Sequence, residues 1–300
     1  MKIKTLFILL ITFSIVQQGY AQKNNKVENV VLQLSINEKI DLLCAKFPGV
    51  QKQGLVKYDW WSECLHGVAR AGKATVFPKP IAMGATWDSD LIKRIADAIS
   101  DEARAKHQRE VEQNGFSDRH FGLTFFSPTL NIARDPRWGR TSECFSEDPL
   151  LTSDMGVAFI KGMQGDDPYY LKTVATAKHF VANNEEDRRL GGSAEVDEMS
   201  LREYYFPAFQ AAVTQGRVTS IMGAYNALNG IPCCANSFLL NDVLRNEWGF
   251  DGVVISDGSA IDKLYTHHKY VPSLENGAAM ALKAGCDMSL RDEYRKGLYL

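Results

Sequence analysis

No CxxC pair, no HExxH and no HxH spacing occurs anywhere in these 300 residues. The usual zinc arrangements are therefore absent, and the adjacent pair His267-His268 does not make up for them. No GxGxxG follows a strand-like run, which removes the dinucleotide-binding fingerprint. Neither sign of charge is in excess: 34 Lys+Arg stand against 36 Asp+Glu, a formal net charge of −2. Nucleic acid and anionic membrane surfaces are thus not expected as partners. Beyond the N-terminus no apolar run approaches the ~20 residues of a membrane span. Short repeats and low-complexity tracts are missing as well.

What is present begins with Lys2 and Lys4 ahead of the apolar run Leu6 to Val16, followed by Gly19-Tyr20-Ala21. That order predicts a secretory signal peptide over residues 1–21, with the mature chain over 22–300 exported to the periplasm or medium. No cysteine closely follows the run, so a lipid anchor is not expected. The six cysteines are Cys44, Cys64, Cys144, Cys233, Cys234 and Cys286. Six allow fifteen pairings, and spacing does not choose between disulfides and buried free thiols.

Helix and strand signals alternate. Ser35-Ile36-Asn37-Glu38 has capping-box spacing, and Asp88 to His107 carries an apolar stripe through Leu91, Ile92, Ile95, Ile99 and Ala103. Leu123 to Phe126 reads as a strand stopped by Pro128, and Leu150 to Met163 as a helix. Ser200-Leu201-Arg202-Glu203 suggests a second capping box, with Gly216 as C-cap. Ser237 to Trp248 and Leu274 to Ala284 are helical, closed by Gly249 and Gly285. The last residues, Tyr294 to Leu300, read as a helix without a cap. Strands and helices recurring at roughly 30–45 residues argue for βαβ units in an α/β fold.

Three apolar strands end in chemistry. Val174-Ala175-Thr176-Ala177 leads to Lys178-His179, Val218 to Met222 leads to Tyr225, and Gly252-Val253-Val254-Ile255-Ser256 leads to Asp257. A strand buried on both faces keeps a charge at its carboxyl end when that charge faces a pocket. Delivery from several strand ends favours a TIM-like (β/α)8 barrel over an open sheet. About six units are countable where closure takes eight, so the barrel is expected to be incomplete at its C-terminus. The loop from Ser127 to Arg140 adds guanidinium groups and an exposed-looking Trp138, and Tyr58 to Gly67 mixes aromatics with Glu63. Forked donors, carboxylates and flat aromatic faces describe a carbohydrate site. Trp60, Trp61 and Trp138 read better as core than as sugar platforms.

The strings DPRWGR with a following SEDP, AKHF, GAYNALNG and GFDGVVISD occur in order from about Asn37 to Asp287. In these the chain resembles the family-3 glycoside hydrolases. WWSECLHGVAR and FPKPIAMGATWD are similar to the β-xylosidase-like branch. The resemblance implies an exo-β-glycosidase of retaining mechanism, acting on oligosaccharides without metal or organic cofactor. It implies Asp257 as nucleophile, and Glu63, Arg140, Lys178, His179 and Tyr225 as residues that hold the sugar. Lys178, Arg140 and the Tyr225 hydroxyl are then expected to keep Asp257 ionised. Gly258-Ser259 departs from the family, which commonly has Trp or Cys after the nucleophile. The loop Val181 to Asp187 lacks the Gly-His pattern of the N-acetylglucosaminidase branch. The resemblance implies an acid/base in a region after the barrel, expected to lie outside these 300 residues; Glu185, Glu186, Asp187 and Asp262 are candidates by composition only. Two other readings stand beside this one: a sugar-binding fragment without turnover, and a Schiff-base aldolase using Lys178.

Overall fold

The computed structural model describes residues 27–299, so the expected signal peptide lies outside the described residues. At the centre are four strands: β1 (Thr124–Phe125), β2 (Val174–Phe180), β3 (Ser220–Gly223) and β4 (Val253–Ser256). They pair in the order β1-β2-β3-β4, all parallel. Ala175, Ala177, Ile221, Val254 and Ile255 have no exposed surface, which is why these strands read as continuous apolar runs.

Helices fill the connections. Chain order is α1 (Ile36–Leu42), α2 (Ser89–Asn114), α3 (Pro149–Gln164), α4 (Pro207–Thr214), α5 (Ala260–Thr266), α6 (Leu274–Lys283) and α7 (Glu293–Leu298). A π-wound segment, Phe238–Glu247, connects β3 to β4. The Ser35–Glu38 capping box forms with both of its hydrogen bonds. Asp88 and Asp148 cap α2 and α3 by accepting from Leu91 N and Leu151 N. At Gly162 a Cβ would meet Lys93 O at 2.4 Å, so glycine is what lets α3 lie against α2.

One local expectation is corrected. The helix near residue 200 starts at Glu198, capped by Asp197 rather than Ser200. Ser200 already has helical backbone there, and a π-wound turn, Leu201–Tyr205, absorbs the missing N–H of Pro207 before α4 begins. Trp138, exposed-looking within its loop, is only 5 % exposed, which agrees with its reading as core, and gives its indole N–H to Glu186 at 3.1 Å.

The sheet holds four strands rather than eight, yet its edges are not bare. Phe126 N donates to Ser62 O beyond β1, and Trp60 N donates to Ala45 O. Beyond β4, Ser256 N donates to Met288 O and Met288 N to Val254 O. Ala45 N also donates to Ser289 O at 2.9 Å. Isolated bridges therefore continue the pairing outward from both edge strands. Among the described residues no helix is long and apolar enough to cross a membrane. All six cysteines are free and buried.

Candidate active site

All six residues singled out in the sequence line one cavity of about 380 Å³ at the carboxyl ends of the strands. Lys178 and His179 come from β2, Tyr225 lies two residues past β3, and Asp257 directly follows β4. Glu63 enters from the segment that bridges to β1, and Arg140 from the loop after β1. Neighbours on a strand normally face opposite sides. Here the β2–β3 register slips between Lys178 and Phe180, and this bulge lets Lys178 and His179 both reach the cavity.

His179 is held on every polar atom. Its Nδ1 and backbone N both lie 2.9 Å from Asn131 Oδ1, and its carbonyl accepts from Asn131 Nδ2 at 3.0 Å. With Oδ1 as acceptor, Nδ1 carries the proton and Nε2 is free to accept from Arg140 Nη2 at 3.1 Å. Burial holds the imidazole well below its usual pKa, and the charges of Arg140, Lys178 and Arg189 push the same way. A neutral ring results, so its 3.7 Å approach to Asp257 Oδ2 is not an ion pair. Arg140 in turn forks onto Glu143 at 2.8 and 2.9 Å. Burial raises the Glu143 carboxyl, but those bonds and charges outweigh it and leave the pKa below its ordinary value.

Asp257 Oδ1 accepts from Gly258 N at 2.6 Å, while its buried Oδ2 has no hydrogen-bond partner among the described residues. Desolvation pushes the carboxyl above its ordinary value. The Gly258 N–H, Lys178, Arg140 and Arg189 pull the other way without cancelling it. Lys178 and Arg140 thus favour the ionised carboxylate, as expected, but against a larger desolvation. The Tyr225 hydroxyl, expected to help keep Asp257 ionised, donates to Gly258 O at 2.6 Å and not to Asp257. A Cβ at Gly258 would stand 3.1 Å from that hydroxyl, so the glycine leaves room for the Tyr225 contact. Lys178 Nζ has no ion pair or hydrogen bond among the described residues, and burial lowers its pKa.

Glu63 Oε1 accepts from Trp61 Nε1 at 2.9 Å. The guanidinium groups of Arg291 and Arg119 both stand over the Trp61 ring, 4.5 and 5.0 Å from its centroid. Trp61 is thus a wall of the cavity and a support for Glu63, where the sequence suggested ordinary core. Asn131, Glu143, Arg70 and Arg189 were also missed. Only Arg140–Glu143 had a local signal, their separation of three residues across a turn.

The four carboxylates considered for an acid/base do not line this cavity. Glu185 pairs with Arg188 at 3.2 Å, Glu186 with Arg189 at 2.6 Å and Asp262 with Lys263 at 3.1 Å, while Asp187 is exposed. Among the described residues no group of three or more His, Cys, Asp or Glu is arranged to hold a metal ion.

The family model described as the glycosyl hydrolase family 3 N-terminal domain matches residues 24–299. The chain belongs to glycosyl hydrolase family 3. Within that family it is 38% identical to a xylan 1,4-beta-xylosidase of Xylanibacter ruminicola, over 89% of this chain and 32% of the relative. It is 37% identical to beta-D-xylosidase 3 of Arabidopsis thaliana, over 88% of this chain and 35% of that one. A family-3 exo-beta-xylosidase solved with a xylobiose aziridine activity-based probe superposes with a TM-score of 0.82 at 34% identity, covering 91% of this chain and 36% of that one. Beta-glucosidase 3B from Thermotoga neapolitana, solved with glucose, gives 0.69 at 30% identity over 90% and 39%. The chain therefore spans about a third of the length of the curated relatives it matches. Family membership leaves the aldolase reading of Lys178 without support.

Proposed function

We propose that this chain carries the nucleophile and glycone-binding site of an exported, retaining exo-β-glycosidase, with Asp257 as the nucleophile. Its substrates are oligosaccharides with terminal non-reducing β-D-xylosyl or β-D-glucosyl residues. The observation that carries the reading is the unpartnered Asp257 Oδ2, buried in a cavity shared with Glu63, Arg140, Lys178 and His179. Asp257 attacks the anomeric carbon, the glycosidic bond breaks, and a glycosyl ester forms on its oxygen. Water then hydrolyses the ester with return of the original configuration. Lys178 supplies positive charge beside the sugar hydroxyls and the developing ester, and Glu63 accepts from sugar hydroxyls. The names of the relatives favour xylosyl substrates.

Retention needs a second carboxyl about 5–5.5 Å from the first, acting as acid and then base. Glu143 is tied to Arg140, and none of the four sequence candidates lines the Asp257 cavity. We place that group outside residues 27–299, in keeping with relatives about three times as long. The TIM-like barrel belongs to the same reading. It is supported by the backbone bonds that run from β1 through Ser62 and Trp60 to Ala45, and through Ser289 and Met288 to β4. Export rests on the Ala21 cleavage site and is tested by N-terminal sequencing, with Gln22 expected first.

The central test treats the full-length protein with a 2-fluoro-2-deoxy-β-xyloside and maps the labelled peptide by mass. The label is expected on Asp257. Labelling of another carboxylate overturns the assignment.

A further inference from the structure

The loops that follow the four central strands are joined by a run of side-chain contacts that ends on Asp257. Trp138, in the loop after β1, gives its indole N–H to Glu186 Oε2 at 3.1 Å. Glu186 lies in the loop after β2, and its other oxygen, Oε1, stands 2.6 Å from Arg189 Nη1. The Arg189 guanidinium lies over the Tyr225 ring, 5.2 Å from its centroid and within cation–π range. Tyr225 follows β3 and gives its hydroxyl to Gly258 O at 2.6 Å. Gly258 follows β4, and its N–H donates to Asp257 Oδ1 at 2.6 Å.

The contacts around this run say what it does. The Tyr225 backbone is held separately, its carbonyl accepting from His268 Nε2 at 2.8 Å, so Arg189 bears on the ring and its hydroxyl. Glu186 and Arg189 are each about a third exposed, where an ion pair adds little to stability. Glu186 does not line the Asp257 cavity, whereas Arg189 does. A carboxylate anchored on a buried indole, with its second oxygen on a cavity arginine, orients that arginine. Asp257 depends on what lies at the far end. Its Oδ2 has no hydrogen-bond partner among the described residues, so the Gly258 N–H is what aims the carboxylate.

We propose that Glu186 is a positioning residue for the nucleophile: through Arg189 and the Tyr225 hydroxyl it fixes the Gly258 peptide that donates to Asp257. The proposal rests on the glycosidase reading above.

The test follows labelling by the 2-fluoro-2-deoxy-β-xyloside in the full-length protein and in Glu186→Ala, Glu186→Gln, Tyr225→Phe and the double variant Glu186→Ala with Tyr225→Phe. In Glu186→Ala the limiting labelling rate is expected to fall roughly 10- to 100-fold, the scale of a misplaced reacting group, while the half-saturating concentration stays the same. Glu186→Gln, whose amide oxygen still accepts from Arg189, should recover most of the rate. Adding Glu186→Ala to Tyr225→Phe should cost less than about 3-fold, because the hydroxyl link to Gly258 is already gone. Arg189→Met breaks the next contact with the same expected losses, and decides the matter where Glu186→Ala does not fold. Fully additive losses, or a Glu186→Gln protein as slow as Glu186→Ala, overturn the positioning role while the glycosidase reading stands. A wild-type protein that is not labelled on Asp257 overturns that reading and the positioning role with it.

Discussion

Replacing Asn131 with Ala removes three hydrogen bonds at once, two to the N–H groups of His179 and one to its carbonyl. Both residues are buried, at 3 % and 2 % exposed, so bulk water does not replace what is lost. Each buried group left unpaired costs about 1–3 kcal/mol. The three groups surround one vacated volume, where a single water can serve two of them, so the net destabilisation expected is about 2–4 kcal/mol. At about 2–4 °C per kcal/mol, the melting temperature should fall by roughly 4–16 °C. Function should change too, because Asn131 sets the Nδ1–H tautomer that lets Nε2 accept from Arg140. In Asn131→Asp both N–H acceptors survive, but the new carboxylate favours an imidazolium facing the Arg140 guanidinium. That variant should lose kcat/KM more steeply than wild type as the pH falls, whereas a purely structural role would move only the melting temperature. Thermal melts, pH–rate profiles and ¹⁵N spectra of labelled histidine provide the readouts. A melting shift in Asn131→Ala below about 1 °C, or an Nε2–H tautomer in the wild type, refutes the reasoning.

Two further predictions follow from the same cavity. Asp257→Asn should raise the melting temperature at pH 7 while abolishing turnover. Burial lifts the Asp257 pKa above 3.8, so the folded state retains a proton that the unfolded chain has released. Stability is therefore lost as the pH rises from about 3.8 through the raised value, and the advantage of Asn should shrink as the pH falls toward 3.8; an equal melting point at pH 7 refutes it. Glu63→Asp draws the carboxylate back by one methylene and away from Trp61 Nε1, which makes room for a hexose hydroxymethyl group. The xyloside-to-glucoside ratio of kcat/KM should move toward glucoside by about 10- to 200-fold, the worth of one methylene, and an unmoved ratio means another wall sets the pocket.

Much of this molecule is written in local order. Runs such as Val253-Val254-Ile255 have to be buried strands wherever they lie, and the residues that follow them emerge at one end of a parallel sheet. The α/β class, most helices, and Lys178, His179, Tyr225 and Asp257 were legible for that reason, while Glu63 and Arg140 were reached through the family motifs. The Ser200 cap was misread because Asp197, three residues earlier, accepts from both Ser200 N and Ser200 Oγ, which puts Ser200 inside the first turn and occupies its hydroxyl.

Partner choice and relative burial were decided only in three dimensions. Asn131 and His179 are 48 residues apart, and no periodicity connects them. Tyr225 could be placed near Asp257 from its strand, but whether its hydroxyl meets the carboxylate or Gly258 O depends on a difference of a few ångströms. The charge balance at Asp257 is of the same kind: the cationic neighbours are visible in the sequence, while the desolvation that outweighs them exists only when the cavity has closed around it. The sequence by itself determined that the strand ends carrying Lys178, His179, Tyr225 and Asp257 open on one rim, because burial patterns are local and repeat along the chain. The tertiary structure decided what each group touches and how it titrates, because hydrogen bonds and desolvation depend on distances that the order of residues does not contain.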